Sequence, residues 1–253
     1  MQAIIEASTT WFTPPTGDRP VLWCLPYAGG GASIFRGWDA ALAPWVDVRP
    51  IYLPGRDRRF SEVPFDDIAA LARTLSALTG PWDNLPQAWF GHSMGAALAY
   101  ETVVHVQNNV QRTAPRLLAV GGRAAPGLGR LRSPMHALPE SDFIAQLVKM
   151  GGTPHAVLED EELMELYMPL LRADFKAIET WQSSEVKLKS TNLLVLSGED
   201  DPETTPERTE AWASFGGRHV TRERLPGGHF FINTHREQVL QLLRNHLSTQ
   251  LLD

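Results

Sequence analysis

Short apolar runs alternate along the chain with longer segments in which apolar residues recur at helical spacing. This alternation is typical of an α/β fold, in which helices cover a mostly parallel sheet. The apolar runs fit strands that are buried on both faces. Six strands are predicted, at residues 21–26, 48–53, 87–90, 117–121, 193–197 and 219–225. Helices are predicted between them, at residues 65–78, 94–107, 206–215 and 234–247.

One long segment, about residues 125–189, interrupts the alternation. It contains no good strand, whereas residues 141–150 and 160–181 have helical periodicity, so we predict a helical insertion within a single domain of residues 1–253. Two interpretations fit its content of methionine and aromatic residues. The helices either pack on the sheet as ordinary core or form a lid with an apolar underside above an active site.

The composition excludes several classes of function. The 23 Lys plus Arg and 29 Asp plus Glu give a net charge of −6, so a nucleic-acid surface is not expected. The single cysteine, Cys24, excludes an intramolecular disulfide and a Cys-rich zinc site, and without an HExxH motif we expect no metal. No secretory signal or apolar run of roughly 18 residues is present, so a cytoplasmic protein without membrane contact is expected.

The motif Gly91, His92, Ser93, Met94, Gly95 lies directly after a predicted strand and directly before an alanine-rich predicted helix. This context is that of a nucleophile elbow, in which the serine occupies a strained turn. Flanking glycines are needed because the helix and a neighbouring strand come too close for a Cβ atom. A GxSxG sequence also occurs by chance in unrelated loops, but the flanking elements favour Ser93 as a nucleophile.

A serine nucleophile needs a base and a third group that orients the base. In this fold they follow in the chain order Ser, Asp, His. Among the eight histidines, His229 lies between the last predicted strand and the last predicted helix, so we predict it as the base. A solvated surface histidine is the alternative. After residues 193–197 come three adjacent acids, of which we favour Asp201 as the orienting carboxylate, with Asp200 as the alternative.

Acyl chemistry also requires hydrogen-bond donors for the developing oxyanion. We predict the backbone N–H groups of Met94 and of Ala28, which lies in the PYAGGG loop after the first strand. A flexible glycine turn and a phosphate-binding loop are alternatives. Neither GxGxxG nor GxxxxGK[ST] is present, so no nucleotide cofactor is expected. Cys24 falls within a buried strand and is expected to be inert.

Motifs along nearly the whole chain resemble those of the stand-alone type II thioesterases of polyketide and nonribosomal peptide synthesis, within the α/β-hydrolases. Together these motifs are specific, although each alone is weak. They are LPYAGGGASIFRGW from Leu25, LPGRDRRF from Leu53, FGHSMGAALAYE from Phe90, MGGTP from Met150, LRADFKAIETW from Leu171, SGEDDP from Ser197 and LPGGHFF from Leu225.

The resemblance implies hydrolysis of acyl groups held as thioesters on the phosphopantetheine arm of a carrier protein, in a housekeeping role. It implies Ser93, Asp201 and His229 as nucleophile, acid and base, and the family's acid precedes a proline, as Asp201 does. At the position of Tyr27, many members of this family have a histidine instead. Two other functions stay open: a general carboxylesterase or lipase that acts on free esters, and a carrier-binding protein without catalysis.

Docking to a carrier raises a question of charge. Carrier domains of this family's pathways are typically acidic and this chain is also negative, so docking requires a local basic patch. We hypothesise that Arg56, Arg58 and Arg59, clustered in GRDRR, contact the carrier or the phosphate of the arm. The alternative is that they form surface or internal salt bridges. No dedicated interface is visible, and a monomer is expected.

Overall fold

A computed structural model describes residues 2–153 and 155–251. Over these ranges the chain forms a six-stranded parallel sheet with the strand order β2-β1-β3-β4-β5-β6. The strands are β1 (Val21–Leu25), β2 (Asp47–Pro50), β3 (Gln87–His92), β4 (Leu117–Gly121), β5 (Asn192–Gly198) and β6 (Val220–Leu225). Since all the strands are parallel, their carboxyl ends lie along one edge of the sheet, where ligands bind in open α/β sheets.

Helices cover both faces of the sheet. Outside the insertion they are α1 (Gln2–Ser8), α2 (Trp38–Leu42), α3 (Ile68–Thr79), α4 (Met94–Asn108), α8 (Pro206–Glu210), α9 (Phe231–Thr234) and α10 (Arg236–Gln250). Successive side chains of a strand point to opposite faces. In β1, Trp23 packs with α3 and α4 on one face, while Leu22 and Cys24 pack with α2 and α10 on the other.

The segment between β4 and β5 contains helices where they are predicted, at residues 141–150 and 160–181, and no strand among its described residues. It contains α5 (Glu140–Met150), α6 (His155–Leu158) and α7 (Glu161–Thr180). The side chain of Asp160 begins α7 by accepting a hydrogen bond from the N–H of Leu163 at 3.0 Å. The insertion has a small apolar core of its own, which includes Phe143 and Phe175. The insertion is therefore a packed unit rather than an extended loop.

Several element boundaries differ from the sequence-based predictions. Strand β2 ends at Pro50 instead of residue 53, and α8 ends at Glu210, where a short 3-10 turn, Ala211–Ser214, replaces the last predicted turns. The short helices α1, α2, α6 and α9 were not predicted, because four to seven residues carry too little periodicity. Among the described residues, no helix is both long and apolar enough to cross a membrane.

Candidate active site

Ser93 lies in a sharp turn between the end of β3 and the start of α4. Its φ of 55° is in a region that non-glycine residues rarely adopt, so the backbone is strained there. A Cβ atom on Gly91 would collide with the carbonyl oxygen of Gly95, and one on Gly95 would collide with that of Leu25. The glycines of the motif thus allow strand and helix to approach closely and hold Ser93 at the carboxyl edge of the sheet.

Ser93, His229 and Asp201 form one chain of hydrogen bonds. The Ser93 Oγ lies 2.9 Å from His229 Nε2, and His229 Nδ1 lies 2.8 Å from Asp201 Oδ2. Since a carboxylate only accepts, Nδ1 carries the proton and Nε2 is left to accept the hydroxyl proton of Ser93. Strands β3, β5 and β6 deliver the three residues to the same edge of the sheet. This geometry is that required for a serine nucleophile.

The carboxylate of Asp201 is 3% exposed and fully hydrogen-bonded. It accepts hydrogen bonds from the N–H of Glu203 at 3.0 Å and the hydroxyl of Thr204 at 2.8 Å, besides that from His229. Burial raises the pKa of Asp201, but the hydrogen bonds and the charge of His229 outweigh burial and lower the pKa below its ordinary value. Asp200 is exposed and does not reach His229. The structure therefore brings Asp201, and not the alternative, to the base.

His92, the residue before the predicted nucleophile, supports the loop that carries His229. Its ring is fully buried, and Nε2–H donates to the backbone carbonyl of His229 at 2.8 Å. Burial, together with the nearby His229, lowers the pKa of His92 to about 3. The ring therefore stays neutral and does not compete for the proton of Ser93. The sequence gives little sign of this contact, because His92 and His229 are 137 residues apart. The one hint is that His92 is next to the nucleophile in the sequence.

The loop after β1 places Ala28 in the lining of the same cavity as Ser93. Within the described residues neither the N–H of Ala28 nor that of Met94 has a hydrogen-bond partner, so both are free to donate. The next residue, Gly29, is held by α7, because its N–H donates to Asp174 Oδ2 at 2.7 Å. The insertion thus fixes the backbone beside one of the two predicted oxyanion donors.

Arg56 completes this arrangement. Its guanidinium donates to both carboxylate oxygens of Asp174, at 2.6 and 2.7 Å, and to the carbonyl of Gly30 at 2.9 Å. Arg56 is 4% exposed and Asp174 is 2% exposed, so this ion pair is shielded from water. A bidentate, charge-assisted pair of this kind fixes the relative orientation of the guanidinium and the carboxylate. It connects α7, the loop after β1 and the loop after β2 that carries Arg56.

The predicted docking patch is therefore not presented at the surface as a cluster. Arg56 is buried against Asp174, and Arg59 is buried in an ion pair with Glu62 at 2.6 Å. Arg58 is exposed, but its guanidinium donates to the backbone carbonyls of Thr9 and Thr10. The ion pairs of Arg56 and Arg59 fit the alternative of internal salt bridges for these two residues, whereas a docking role for the exposed Arg58 stays a prediction.

A cavity of about 410 Å³ opens onto Ser93 and His229 between the sheet edge and the insertion. A volume of this size is typical of small-molecule sites. One part of the wall is apolar and another part carries arginines. The apolar part consists of Met135, Leu138, Met150, Phe175, Ile178 and Phe230, and the arginines are Arg123, Arg130 and Arg132. The cavity can therefore hold an apolar chain with its reacting end at Ser93.

The parallel sheet with a nucleophile elbow after β3 defines the α/β-hydrolase fold. Comparison with known proteins narrows this class. The family model described as "Thioesterase domain" matches residues 20–247. The chain belongs to this thioesterase family, and it is a hydrolase that acts on thioesters.

Relatives span nearly the whole chain. Linear gramicidin dehydrogenase LgrE of Brevibacillus parabrevis is 33% identical over 100% of this chain and 98% of its own. Thioesterase PikA5 of Streptomyces venezuelae is 32% identical over 93% of this chain and 84% of its own. The solved structure of the type II thioesterase BorB from the borrelidin biosynthetic cluster is 35% identical, covers 94% of this chain and 97% of its own, and has a TM-score of 0.83. The predicted family and fold are confirmed.

Proposed function

We propose that this thioesterase hydrolyses acyl groups from the phosphopantetheine arm of acyl or peptidyl carrier proteins, and so clears stalled or wrongly loaded units from a polyketide or nonribosomal peptide synthase. The observation that carries this proposal is the hydrogen-bonded Ser93, His229 and Asp201 at the base of a cavity covered by the insertion. The descriptions of two similar structures support the choice of pathway: BorB is a type II thioesterase from the borrelidin biosynthetic cluster, and YbtT, 31% identical over 94% of this chain, is one from the yersiniabactin NRPS/PKS pathway. We expect a cytoplasmic monomer that needs no metal or cofactor.

The proposed reaction begins with transfer of the Ser93 hydroxyl proton to His229 Nε2 while Oγ attacks the thioester carbonyl carbon. The tetrahedral oxyanion accepts hydrogen bonds from the N–H groups of Ala28 and Met94. The carbon–sulfur bond then breaks, and His229 returns the proton to the leaving thiolate. Asp201 stabilises the imidazolium and keeps its Nδ1 proton directed away from Ser93.

Water completes the cycle in the second half of the proposed reaction. His229 takes a proton from a water molecule, whose oxygen attacks the carbonyl carbon of the acyl-Ser93 ester. The second oxyanion uses the same two donors. Collapse breaks the bond to Oγ, and His229 protonates the serine, which releases the free acid and restores the enzyme.

In this proposal the insertion, about residues 125–189, acts as a lid. Its apolar wall binds the acyl chain, and the open end of the cavity admits the arm. Where the apolar wall and the bound acyl chain exclude water, the interaction between the oxyanion and its donors is strengthened. The same insertion holds the oxyanion loop through Asp174, so its position and the donor geometry are coupled.

Intact-protein mass spectrometry of acyl-loaded carrier protein tests the proposal. The wild-type enzyme and Ser93→Ala are each incubated with acetyl- and longer acyl-carriers. A control variant, Ser248→Ala, changes a serine of α10 that does not line the cavity, and an oxygen ester serves as a second type of substrate. We expect rapid unloading that is lost in Ser93→Ala and kept in Ser248→Ala. Cleavage of the oxygen ester alone would favour a general esterase, and carrier binding without any cleavage would favour a non-catalytic binding protein.

A further inference from the structure

The side chain of Phe230, the residue after the proposed base, lies where three segments of the chain meet. Its ring packs against the ring of His229, with 5.1 Å between the centroids and an angle of 86° between the planes. It also packs against the ring of Tyr27 from the loop after β1, at 5.1 Å and 73°. Nearly perpendicular aromatic pairs at this spacing are favourable. Phe230 therefore links the base to the loop after β1.

The third segment belongs to the insertion. Gly152 lies between α5 and α6, and its backbone packs against the edge of the Phe230 ring. A Cβ atom on Gly152 would lie 2.2 Å from Cζ, 2.7 Å from Cε1 and 2.9 Å from Cε2 of Phe230. Cβ atoms essentially never approach other atoms this closely, so any larger residue at this position must displace the ring. Only glycine allows the insertion to rest on Phe230 as it does.

The neighbours of the Phe230 ring are themselves held in place. The hydroxyl of Tyr27 accepts a hydrogen bond from Asn233 Nδ2 at 3.1 Å, and its ring also packs against that of His92, at 5.9 Å. The Phe230 ring is thus in contact with His229, Tyr27 and Gly152, and it also faces the larger cavity. Because packed side chains transmit strain, a shift of this ring changes the contact with the base.

The backbone and the ring of His229 are held by different groups. His92 fixes the backbone through its hydrogen bond to the carbonyl oxygen. The ring donates one hydrogen bond, from Nδ1 to Asp201, and a single hydrogen bond leaves the ring free to tilt. The rings of Phe230 and His92 both pack against it and limit this tilt. The direction of Nε2 toward Ser93 therefore depends on where the Phe230 ring lies.

We propose that Phe230 is a positioning residue that orients the ring of His229, and that Gly152 couples this orientation to the insertion. The base is then aligned with Ser93 only while the loop after α5 rests on Phe230. This inference rests on the proposed role of His229 as the base, and it names a residue through which the lid acts on that base. It also accounts for both glycines of the MGGTP motif, because Gly151 ends α5 with a φ of 71° and Gly152 permits the contact.

Gly152→Ala tests the coupling, with Gly151→Ala as the matched control. The added Cβ atom displaces the Phe230 ring, so we expect kcat for an acetyl thioester to fall about 10- to 100-fold with KM nearly unchanged, as for a misplaced catalytic group. A Cβ atom on Gly151 meets nothing within 4 Å, but the positive φ is strained for alanine. The control should therefore lower Tm by a few degrees and keep kcat.

A second measurement needs no thioester. Methanesulfonyl fluoride sulfonylates an activated serine: Oγ attacks the sulfur, the sulfur–fluorine bond breaks, and the base takes the hydroxyl proton. The reagent is too small to depend on the apolar wall of the cavity. We expect the rate at which it modifies Ser93, followed by intact-protein mass, to fall about 10- to 100-fold in Gly152→Ala and to be kept in Gly151→Ala.

Phe230→Leu shows whether the effect passes through this ring. Leucine lacks Cε1, Cε2 and Cζ, the three atoms that a Cβ atom on Gly152 would meet. In the Phe230→Leu background, Gly152→Ala should therefore change either rate by less than about twofold. Phe230→Ala removes the ring itself and, with Gly152 intact, should lower both rates by about 2- to 10-fold, which corresponds to the loss of one perpendicular aromatic pair.

Four results would overturn the inference. They are unchanged rates in Gly152→Ala, a rise in KM alone in that variant, a loss that persists in the Phe230→Leu background, and an unchanged rate of sulfonylation in Phe230→Ala. If the wild type hydrolyses no thioester, the proposed function fails, while sulfonylation still tests the orientation of the base. A wild-type Ser93 that reacts with neither type of compound overturns both.

Discussion

Replacement of Asp174 with asparagine tests how the insertion controls the loop after β1. Asp174 accepts two hydrogen bonds from Arg56 and one from the N–H of Gly29, and all three lie within 2.7 Å. Asparagine keeps the shape of the side chain but removes its negative charge. Both oxygens of Asp174 accept hydrogen bonds, so the NH₂ group that replaces one of them must face an N–H donor. The variant therefore leaves the buried guanidinium of Arg56 without a counterion.

The expected loss of stability follows from the burial of this pair. Removal of one partner from a buried ion pair costs about 3–5 kcal/mol. Asparagine retains one acceptor, so we expect the lower end, about 3 kcal/mol. In a chain of this size each kcal/mol shifts Tm by about 2–4 °C, which gives a fall of about 6–12 °C.

Activity should fall for a separate reason. The loop held by Asp174 carries the N–H of Ala28, and an oxyanion donor acts only in the transition state. We therefore expect kcat to fall by about 10²- to 10³-fold, as for loss of one donor, with KM nearly unchanged. Calorimetry gives Tm, and steady-state hydrolysis of an acetyl thioester is measured well below the Tm of the variant.

The matched control is Asp66→Asn. Asp66 also pairs with α7, through Lys176 at 2.6 Å, but both side chains are exposed. Exposed pairs contribute about 0–1 kcal/mol, so this variant should keep its Tm within about 4 °C and retain its kcat. If Asp174→Asn lowered Tm but left kcat intact, the link between α7 and the oxyanion donor would be refuted. Equal effects of the two variants on Tm would refute the stability argument.

Three further predictions concern the triad and its support. Asp201→Asn should lower kcat by about 10³- to 10⁴-fold, because the base loses the acceptor that sets its tautomer, whereas Asp200→Asn should stay within about twofold in the same assay. Gly91→Ala should destabilise the protein by about 3 kcal/mol, since its Cβ collides with Gly95, and an unchanged Tm would contradict the close approach. His92 has a pKa of about 3 when folded and 6.5 when unfolded, so below pH 6.5 the unfolded chain binds the extra proton. The stability that neutral His92 contributes is present above pH 6.5 and declines by about 1.4 kcal/mol per pH unit toward pH 3. Urea unfolding at pH 6.5 and 5.0 should therefore show a steeper loss in the wild type than in His92→Gln, and parallel losses would exclude this residue as the cause.

Local patterns predicted the parts of the molecule that depend on neighbours in sequence. The continuous apolar run of β1 and the glycines around Ser93 specify a buried strand and an elbow, and both are observed. Contacts between segments that are distant in sequence cannot be predicted from such local patterns. Arg56 pairs with Asp174 across 118 residues, so the arginine cluster suggested a surface patch while the fold buries it. Strand β2 pairs with β1 only from Asp47 to Pro50, although β1 itself continues to Leu25, and the composition of a single strand does not reveal where its pairing ends.

The hydrogen bond between Ser93 and His229 joins residues 136 positions apart. Each parallel pairing needs a crossover segment between its strands, and contacts between residues distant in sequence form slowly during folding. The elbow, in contrast, is built from β3 and α4, which are adjacent in the chain. We therefore expect the elbow to form earlier than the hydrogen bond between Ser93 and His229. Because His229 follows β6, a chain whose last strand has not yet joined the sheet would carry only an ordinary, weakly reactive serine hydroxyl, and thioester hydrolysis would begin only when the sheet is complete.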